Sequence, residues 1–129
     1  MNDNKVMLHA ADNIRILAAS MVEKANSGHP GGAMGGADFI NVLFSEYLVY
    51  DPDDAEWTGR DRFYLDPGHM SPMLYSALAL QGRFSIDELK QFRQWGSPTP
   101  GHPERDLARG IENTSGPLGQ GHTFGAGAA

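Results

Sequence analysis

Four glycine-rich turns divide this 129-residue chain, and the first three each carry a histidine. They lie at 26–32, 66–69, 100–103 and 115–121, and the histidines are His29, His69 and His102. Gly and Pro interrupt regular structure, so these turns separate the elements of the chain. A single turn of this kind more often serves only to join two secondary-structure elements. Three of them with a glycine loop favour histidines held at a ligand site, since binding residues are commonly presented on loops.

Composition limits the class of protein. A 40% hydrophobic and 20% charged chain is typical of one globular domain. The net charge of −6, without a Lys/Arg cluster, argues against nucleic-acid binding. The absence of cysteine excludes a disulfide, a thiolate zinc site and a cysteine nucleophile. No signal-peptide pattern or membrane-length apolar run is present, so we expect a cytoplasmic protein with no membrane partner.

Apolar periodicity predicts four helices. The first covers 5–25, the second 35–48 and the third 71–80. A capping box at Ser85-Ile86-Asp87-Glu88 predicts a fourth helix running through Trp95. The Gly- and Pro-rich stretch 96–121 is predicted to be a long loop of the kind that usually serves function.

The best strand candidate is Arg62-Phe63-Tyr64-Leu65, which leads into the turn of His69. One strand is too few for an α/β protein, whose parallel sheet needs several strands beneath its helices. The C-terminal run Phe124–Ala129 reads as the first turns of another helix, without a stop signal. We therefore expect an α/β fold of which this chain is the helix-rich, N-terminal part.

The spacing of the histidines restricts their chemistry. His29, His69 and His102 are each more than thirty residues apart, unlike the short spacings of zinc ligands. No Gly-x-Ser-x-Gly elbow is present, which argues against a hydrolytic triad. Proton transfer and hydrogen bonding to a polar, phosphorylated ligand remain. Gly28 and Gly31 would let the backbone approach such a ligand closely.

The ordered motifs of the chain resemble those of transketolases over about Asp12 to Gly121. The segments that carry the resemblance are Lys24-Ala25-Asn26-Ser27-Gly28-His29-Pro30-Gly31, Asp61-Arg62-Phe63 with Gly68-His69, Phe92-Arg93-Gln94, Thr99-Pro100-Gly101-His102-Pro103-Glu104 and Thr114-Ser115-Gly116-Pro117-Leu118-Gly119-Gln120-Gly121. The resemblance implies a thiamine-diphosphate enzyme of the pentose phosphate pathway. Such an enzyme transfers a two-carbon ketol unit from a ketose phosphate to an aldose phosphate. Residues 1–129 would form the first part of its diphosphate-binding domain, in which helices flank a parallel sheet.

The resemblance also implies roles for individual residues. His29 matches the catalytic histidine that serves in proton transfer beside the reactive carbon of the cofactor and contacts substrate. His69 matches a histidine that contacts both the cofactor diphosphate and the substrate, and His102 one that binds a substrate hydroxyl. The family's cofactor-binding segment, which meets the aminopyrimidine through its backbone, matches Gly116, Pro117 and Leu118.

Departures from the family pattern occur near these residues. Asp66-Pro67 stands where many members have Ser-Asn, and His122 stands where an aliphatic residue is commoner. His122 is predicted to be a partly exposed helix residue, and His9 a solvated one on the first helix. The chain also lacks the Gly-Asp-Gly motif that, with a later Asn, holds the divalent metal in this family. Ligands for Mg or Ca are therefore expected outside this chain, which alone is expected to be inactive.

Alternative functions stay open at this point. The chain could be a non-catalytic fragment or subunit that contributes cofactor contacts when it pairs with the rest of the enzyme or a complementary chain. Dihydroxyacetone synthase shares the same motifs, whereas deoxyxylulose phosphate synthase fits the Gly101-His102-Pro103-Glu104 loop poorly. The resemblance further implies a homodimer and sugar phosphate substrates.

Overall fold

A computed structural model describes residues 2–129, which fold into helices joined by long loops. The α-helices are α1 (Asn4–Ala25), α2 (Pro30–Gly35), α3 (Ala37–Val42), α4 (Ser71–Leu80), α5 (Ile86–Leu89) and α6 (Gln120–Ala128). A π-helical turn, Leu43–Tyr47, extends α3, and single 3-10 turns cover Gly68–Met70 and Leu107–Arg109. None of these helices combines the length and hydrophobicity that crossing a membrane requires.

Helix α1 confirms the first predicted helix. The Asp3 carboxylate accepts hydrogen bonds from the backbone N–H groups of Lys5 and Val6, which satisfies donors that have no partner within the helix. The helix ends at Ala25 and is capped by Asn26, whose φ of 48° is left-handed. Its buried face packs against α2, α3 and α4 and consists of Ala11, Ile14, Ala18 and Met21.

Helix α4 lies at the centre of the core and matches its predicted bounds. All residues from Ser71 to Leu78 are buried, so this helix is enclosed rather than amphipathic. The Tyr75 ring lies 5.4 Å from the Phe84 ring and 6.4 Å from the Phe92 ring, measured between centroids. This aromatic cluster joins α4 to the segment around α5 and so fixes the elements that lead to the His69 and His102 loops.

Two helices have different bounds from those predicted. The predicted helix 35–48 begins earlier, at Pro30, because proline suits the first helical position, and it is interrupted at Gly36. The capping box at Ser85 and Glu88 is confirmed, but the helix ends at Leu89 instead of continuing to Trp95. Arg93 has a left-handed φ of 61°, and its N–H donates to the Thr99 carbonyl, so the chain turns there.

The predicted strand Arg62–Leu65 is wrong. No strand occurs among residues 2–129, and only an isolated bridge joins Asp106 and Ile111. The Asn113 side chain makes the hydrogen bonds to Leu65 that a partner strand would make. Its Oδ1 accepts from the Leu65 N–H at 3.1 Å, and its Nδ2 donates to the Leu65 carbonyl at 3.4 Å. The helices of the expected α/β fold are confirmed, and its parallel sheet is not formed within the described residues.

Candidate active site

The loops of His29 and His69 bring two imidazole rings together. Their ring centroids are 4.6 Å apart, and the ring planes are inclined by 42°. His29 is the exposed residue immediately before α2, while His69 is half-buried in the 3-10 turn before α4. Residues forty positions apart in the sequence therefore form one edge of an accessible cluster.

The turn that carries His29 is fixed by its neighbours. Gly28 has a φ of 131°, and a β-carbon at this position would lie 3.1 Å from Val22 Cγ2 and 3.3 Å from Phe92 Cε1. Glycine is thus required here both by the backbone conformation and by close packing. Nη1 of Arg93 donates to Ser27 Oγ at 2.6 Å, which links this turn to the loop that follows α5.

Helix α4 holds the loop of His102 through two side chains. Ser71 Oγ donates to the Gly101 carbonyl at 2.7 Å, and the Tyr75 hydroxyl donates to the Pro100 carbonyl at 2.8 Å. Burial raises the pKa of Tyr75 far above its usual range, and Glu104 adds to the effect, so the hydroxyl remains a donor. Because His69 directly precedes α4, the same helix fixes both histidine loops.

His102 lies in the electrostatic field of the other two histidines. Partial desolvation is the main cause that lowers the pKa of His102, and the positive charges of Arg93, His69 and His29 lower it further. The imidazole of His102 therefore stays neutral to a lower pH than an ordinary histidine. The three histidines that the sequence singled out are called the histidine cluster below: the rings of His29 and His69 are in contact, and His102 is close enough for both to lower its pKa.

We expect Arg93→Gln to raise the pKa of His102 toward its ordinary value, because the substitution removes one of the charges that oppose protonation. The unfolded chain protonates His102 more readily than the folded chain, so this residue's contribution to stability is lost as pH falls below the ordinary histidine pKa of about 6.5. Histidine NMR titration, with the signal assigned through His102→Gln, measures the shift. Arg105→Gln is the matched control, and an equal shift there, or none in Arg93→Gln, would contradict the expectation.

The fourth glycine-rich loop lies against the second and the third. The Ser115 N–H donates to the Pro103 carbonyl at 3.0 Å, and a β-carbon on Gly68 would lie 2.9 Å from Ser115 Oγ. Ser115 Oγ is buried and has no hydrogen-bond partner among residues 2–129. A β-carbon on Gly116 would meet nothing within 4 Å, and Pro117 and Leu118 are exposed. The Pro117 carbonyl accepts a hydrogen bond from the Gln120 N–H at 3.2 Å. The loop therefore presents the backbone of Gly116 and Leu118 close to the turn of His69.

Several residues that organise the cluster were not found by sequence reasoning. Ser71 and Tyr75 occur in an apolar helix and gave no signal beyond their polarity, while Arg93 was noted only as part of a motif. Asn113 gave no signal, because its role depends on a residue 48 positions away. Among residues 2–129, no group of three or more His, Asp or Glu side chains is arranged to hold a metal ion.

Comparison with known proteins assigns the family. A family described as "Transketolase, thiamine diphosphate binding domain" matches residues 6–129. The chain belongs to the transketolase family. It is 54% identical to transketolase 1 of Vibrio vulnificus over 122 residues and 49% identical to the Staphylococcus aureus transketolase over 120 residues. These matches cover 94% and 93% of this chain, but only 18% of each transketolase.

Solved transketolases share the fold of this chain. The Leishmania mexicana enzyme has a TM-score of 0.84 and 46% identity, covering 89% of this chain and 17% of that structure. A Pichia stipitis transketolase in complex with sedoheptulose-7-phosphate has a TM-score of 0.86 and 43% identity, covering 95% of this chain and 18% of that structure. The chain thus corresponds to under a fifth of these transketolases.

Proposed function

We propose that this chain forms the N-terminal part of the cofactor-binding domain of a transketolase. That enzyme transfers a two-carbon ketol unit from a ketose phosphate to an aldose phosphate, as in the pentose phosphate pathway. The observation that carries the proposal is the cluster of three histidines, with the rings of His29 and His69 only 4.6 Å apart. Related Pichia stipitis transketolases were solved with xylulose-5-phosphate, fructose-6-phosphate and sedoheptulose-7-phosphate, which supports sugar phosphates as the substrates.

The glycine-rich loop fits thiamine diphosphate. In the segment Gly116, Pro117 and Leu118, the backbone of Gly116 and Leu118 offers hydrogen-bond donors and acceptors to the aminopyrimidine, while the Pro117 carbonyl accepts from the Gln120 N–H. The buried hydroxyl of Ser115 has no protein partner, as expected of a group beside a polar ligand. His69 would donate to the diphosphate from the adjoining loop. When bound, the cofactor supplies the electron sink needed to break a carbon–carbon bond of the ketose.

The three histidines have separate tasks in this proposal. His29 is exposed at the open face and would transfer protons to and from substrate hydroxyls. His69 contacts substrate as well as the diphosphate, and it lies beside His29. His102, kept neutral by desolvation and nearby charges, retains one ring nitrogen as acceptor and one as donor for a substrate hydroxyl.

Other properties belong to the same proposal. The metal that accompanies the diphosphate, Mg or Ca, would be held by residues outside this chain. The active enzyme would be a cytoplasmic homodimer, and this chain would act together with the rest of the enzyme or a complementary chain. Family membership supports these properties.

A chimeric enzyme tests the proposal. In it, this chain replaces the matching 122 residues of Vibrio vulnificus transketolase 1, to which it is 54% identical. We expect the chimera to bind thiamine diphosphate with magnesium, measured by calorimetry. We also expect it to transfer a ketol unit from xylulose 5-phosphate to ribose 5-phosphate. A folded chimera that neither binds the cofactor nor turns over would contradict the proposal.

A further inference from the structure

The Asp66 carboxylate joins the loop of His69 to the start of α6. Both of its oxygens lie 3.1 Å from the Gly119 backbone nitrogen, and Oδ2 is also 2.8 Å from Nδ1 of His122. The Asp66 side chain is only 8% exposed, whereas that of His122 is 80% exposed. This nearly buried carboxylate therefore has two partners, the Gly119 N–H at the N-cap of α6 and the His122 ring in the first turn of α6.

Close backbone packing surrounds this contact. A β-carbon on Gly121 would lie 2.5 Å from Asp66 Cβ and 2.6 Å from the Leu65 carbonyl oxygen. On the other side, Gly68 lies so close to Ser115 that a β-carbon would meet its carbonyl oxygen at 3.0 Å. The two loops thus touch both before and after Asp66, which leaves little freedom in their relative position.

The segment Gly116–Leu118 is restrained at its two ends and by one turn hydrogen bond, from the Gln120 N–H to the Pro117 carbonyl. At one end the Ser115 N–H bonds to the Pro103 carbonyl, and at the other the Gly119 N–H bonds to Asp66. Gly119 has a left-handed φ of 86° at the N-cap of α6, and no other side chain caps this helix. A carboxylate there is favoured by the helix dipole as well as by hydrogen bonding. Loss of Asp66 would therefore release one end of the loop.

We propose that Asp66, assisted by His122, is a positioning residue that sets the Gly116–Leu118 loop relative to His69. The inference rests on the proposed function, in which these two loops contact opposite ends of the same cofactor. A displacement of one loop would then weaken cofactor binding, because both ends must be met at once. The reacting groups, His29 among them, would be unaffected once the cofactor is bound.

Substitutions in the chimeric enzyme separate the two contacts. Asp66→Ala is expected to weaken thiamine diphosphate binding by tenfold or more, while kcat at saturating cofactor stays within twofold. Asp66→Asn keeps an acceptor for the Gly119 N–H and should weaken binding less than threefold. His122→Gln should also have an effect below threefold, because the exposed partner supports Asp66 rather than the loop directly. The double variant with Asp66→Ala and His122→Gln should bind thiamine diphosphate no more weakly than Asp66→Ala alone.

Asp51→Ala is the matched control, since the Asp51 carboxylate also accepts backbone N–H groups, those of Asp53 and Asp54, in a loop outside the cluster. It should leave cofactor binding unchanged. Equal binding by Asp66→Ala and the parent chimera would overturn the positioning role and leave the proposed function intact. A fall in the kcat of Asp66→Ala that saturating cofactor does not restore would also overturn the positioning role.

Hydrogen exchange supplies a readout that needs no cofactor. Without cofactor, the peptide covering Gly116 to His122 should exchange at least fivefold faster in Asp66→Ala than in the parent. In Asp51→Ala its exchange rate should equal that of the parent. If the parent chimera fails to bind thiamine diphosphate, the proposed function falls, and exchange alone then decides the role of Asp66. Equal exchange in Asp66→Ala and the parent would overturn that role.

Discussion

His29→Gln in the chimeric enzyme is expected to lower kcat/KM for ketol transfer by about 10²- to 10⁴-fold, the usual contribution of a group that transfers protons in the transition state. Glutamine keeps hydrogen-bonding capacity at this position but cannot take up and release a proton near neutral pH. His29 is exposed, so its replacement removes no core contact. Steady-state kinetics with xylulose 5-phosphate and ribose 5-phosphate measures the effect.

His9→Gln is the control for this experiment. His9 is exposed on α1, as the sequence predicted, and its ring makes no contact with the histidine cluster. Its substitution should leave kcat/KM and thermal stability unchanged. If His29→Gln kept activity within threefold of the parent chimera, proton transfer would have to be assigned to another group.

Glu112→Gln is expected to lower the free energy of unfolding by about 3–5 kcal/mol, because it leaves the buried Arg60 charge without its partner. Nε of Arg60 lies 2.7 Å from Oε1 of Glu112, and Nη2 lies 3.1 Å from Oε2. The two side chains are only 9% and 8% exposed. The hydrogen bond that Arg60 donates to Glu112 raises the pKa of Arg60. Arginine keeps its charge in a folded protein even without such a bond, so the guanidinium cannot become neutral in the variant. Urea unfolding of the chain measures the loss.

Two further variants define the origin of that loss. Arg60→Met with Glu112→Leu removes both charges and should recover at least half of the lost stability, since a buried pair often contributes little relative to apolar residues. Lys90→Gln breaks the exposed pair with Asp87 and should give no measurable change. A loss in Glu112→Gln no larger than in Lys90→Gln would show that water reaches the Arg60 guanidinium.

Local patterns of the sequence were sufficient for α1, α4 and the capping box of α5. Each depends on residues within a few turns of one another, such as the Ser85 hydroxyl and the Glu88 carboxylate, which exchange hydrogen bonds with each other's backbone. The early end of α5 was missed because it depends on Thr99, whose carbonyl accepts from the Arg93 N–H. The short run 62–65 favoured a strand, but pairing needs a second backbone, and the Asn113 amide occupies that position instead.

The sequence by itself singled out three histidines as candidates and showed which family the chain resembles, because both follow from residue types at fixed spacings. Only the tertiary structure decided that His29, His69 and His102 share one cluster and that α4 fixes two of their loops. It also joined Asp66 to Gly119 and Arg60 to Glu112, over 53 and 52 positions of the chain. Such pairs depend on the packing of whole helices, and no local pattern records which distant groups that packing brings within hydrogen-bond distance.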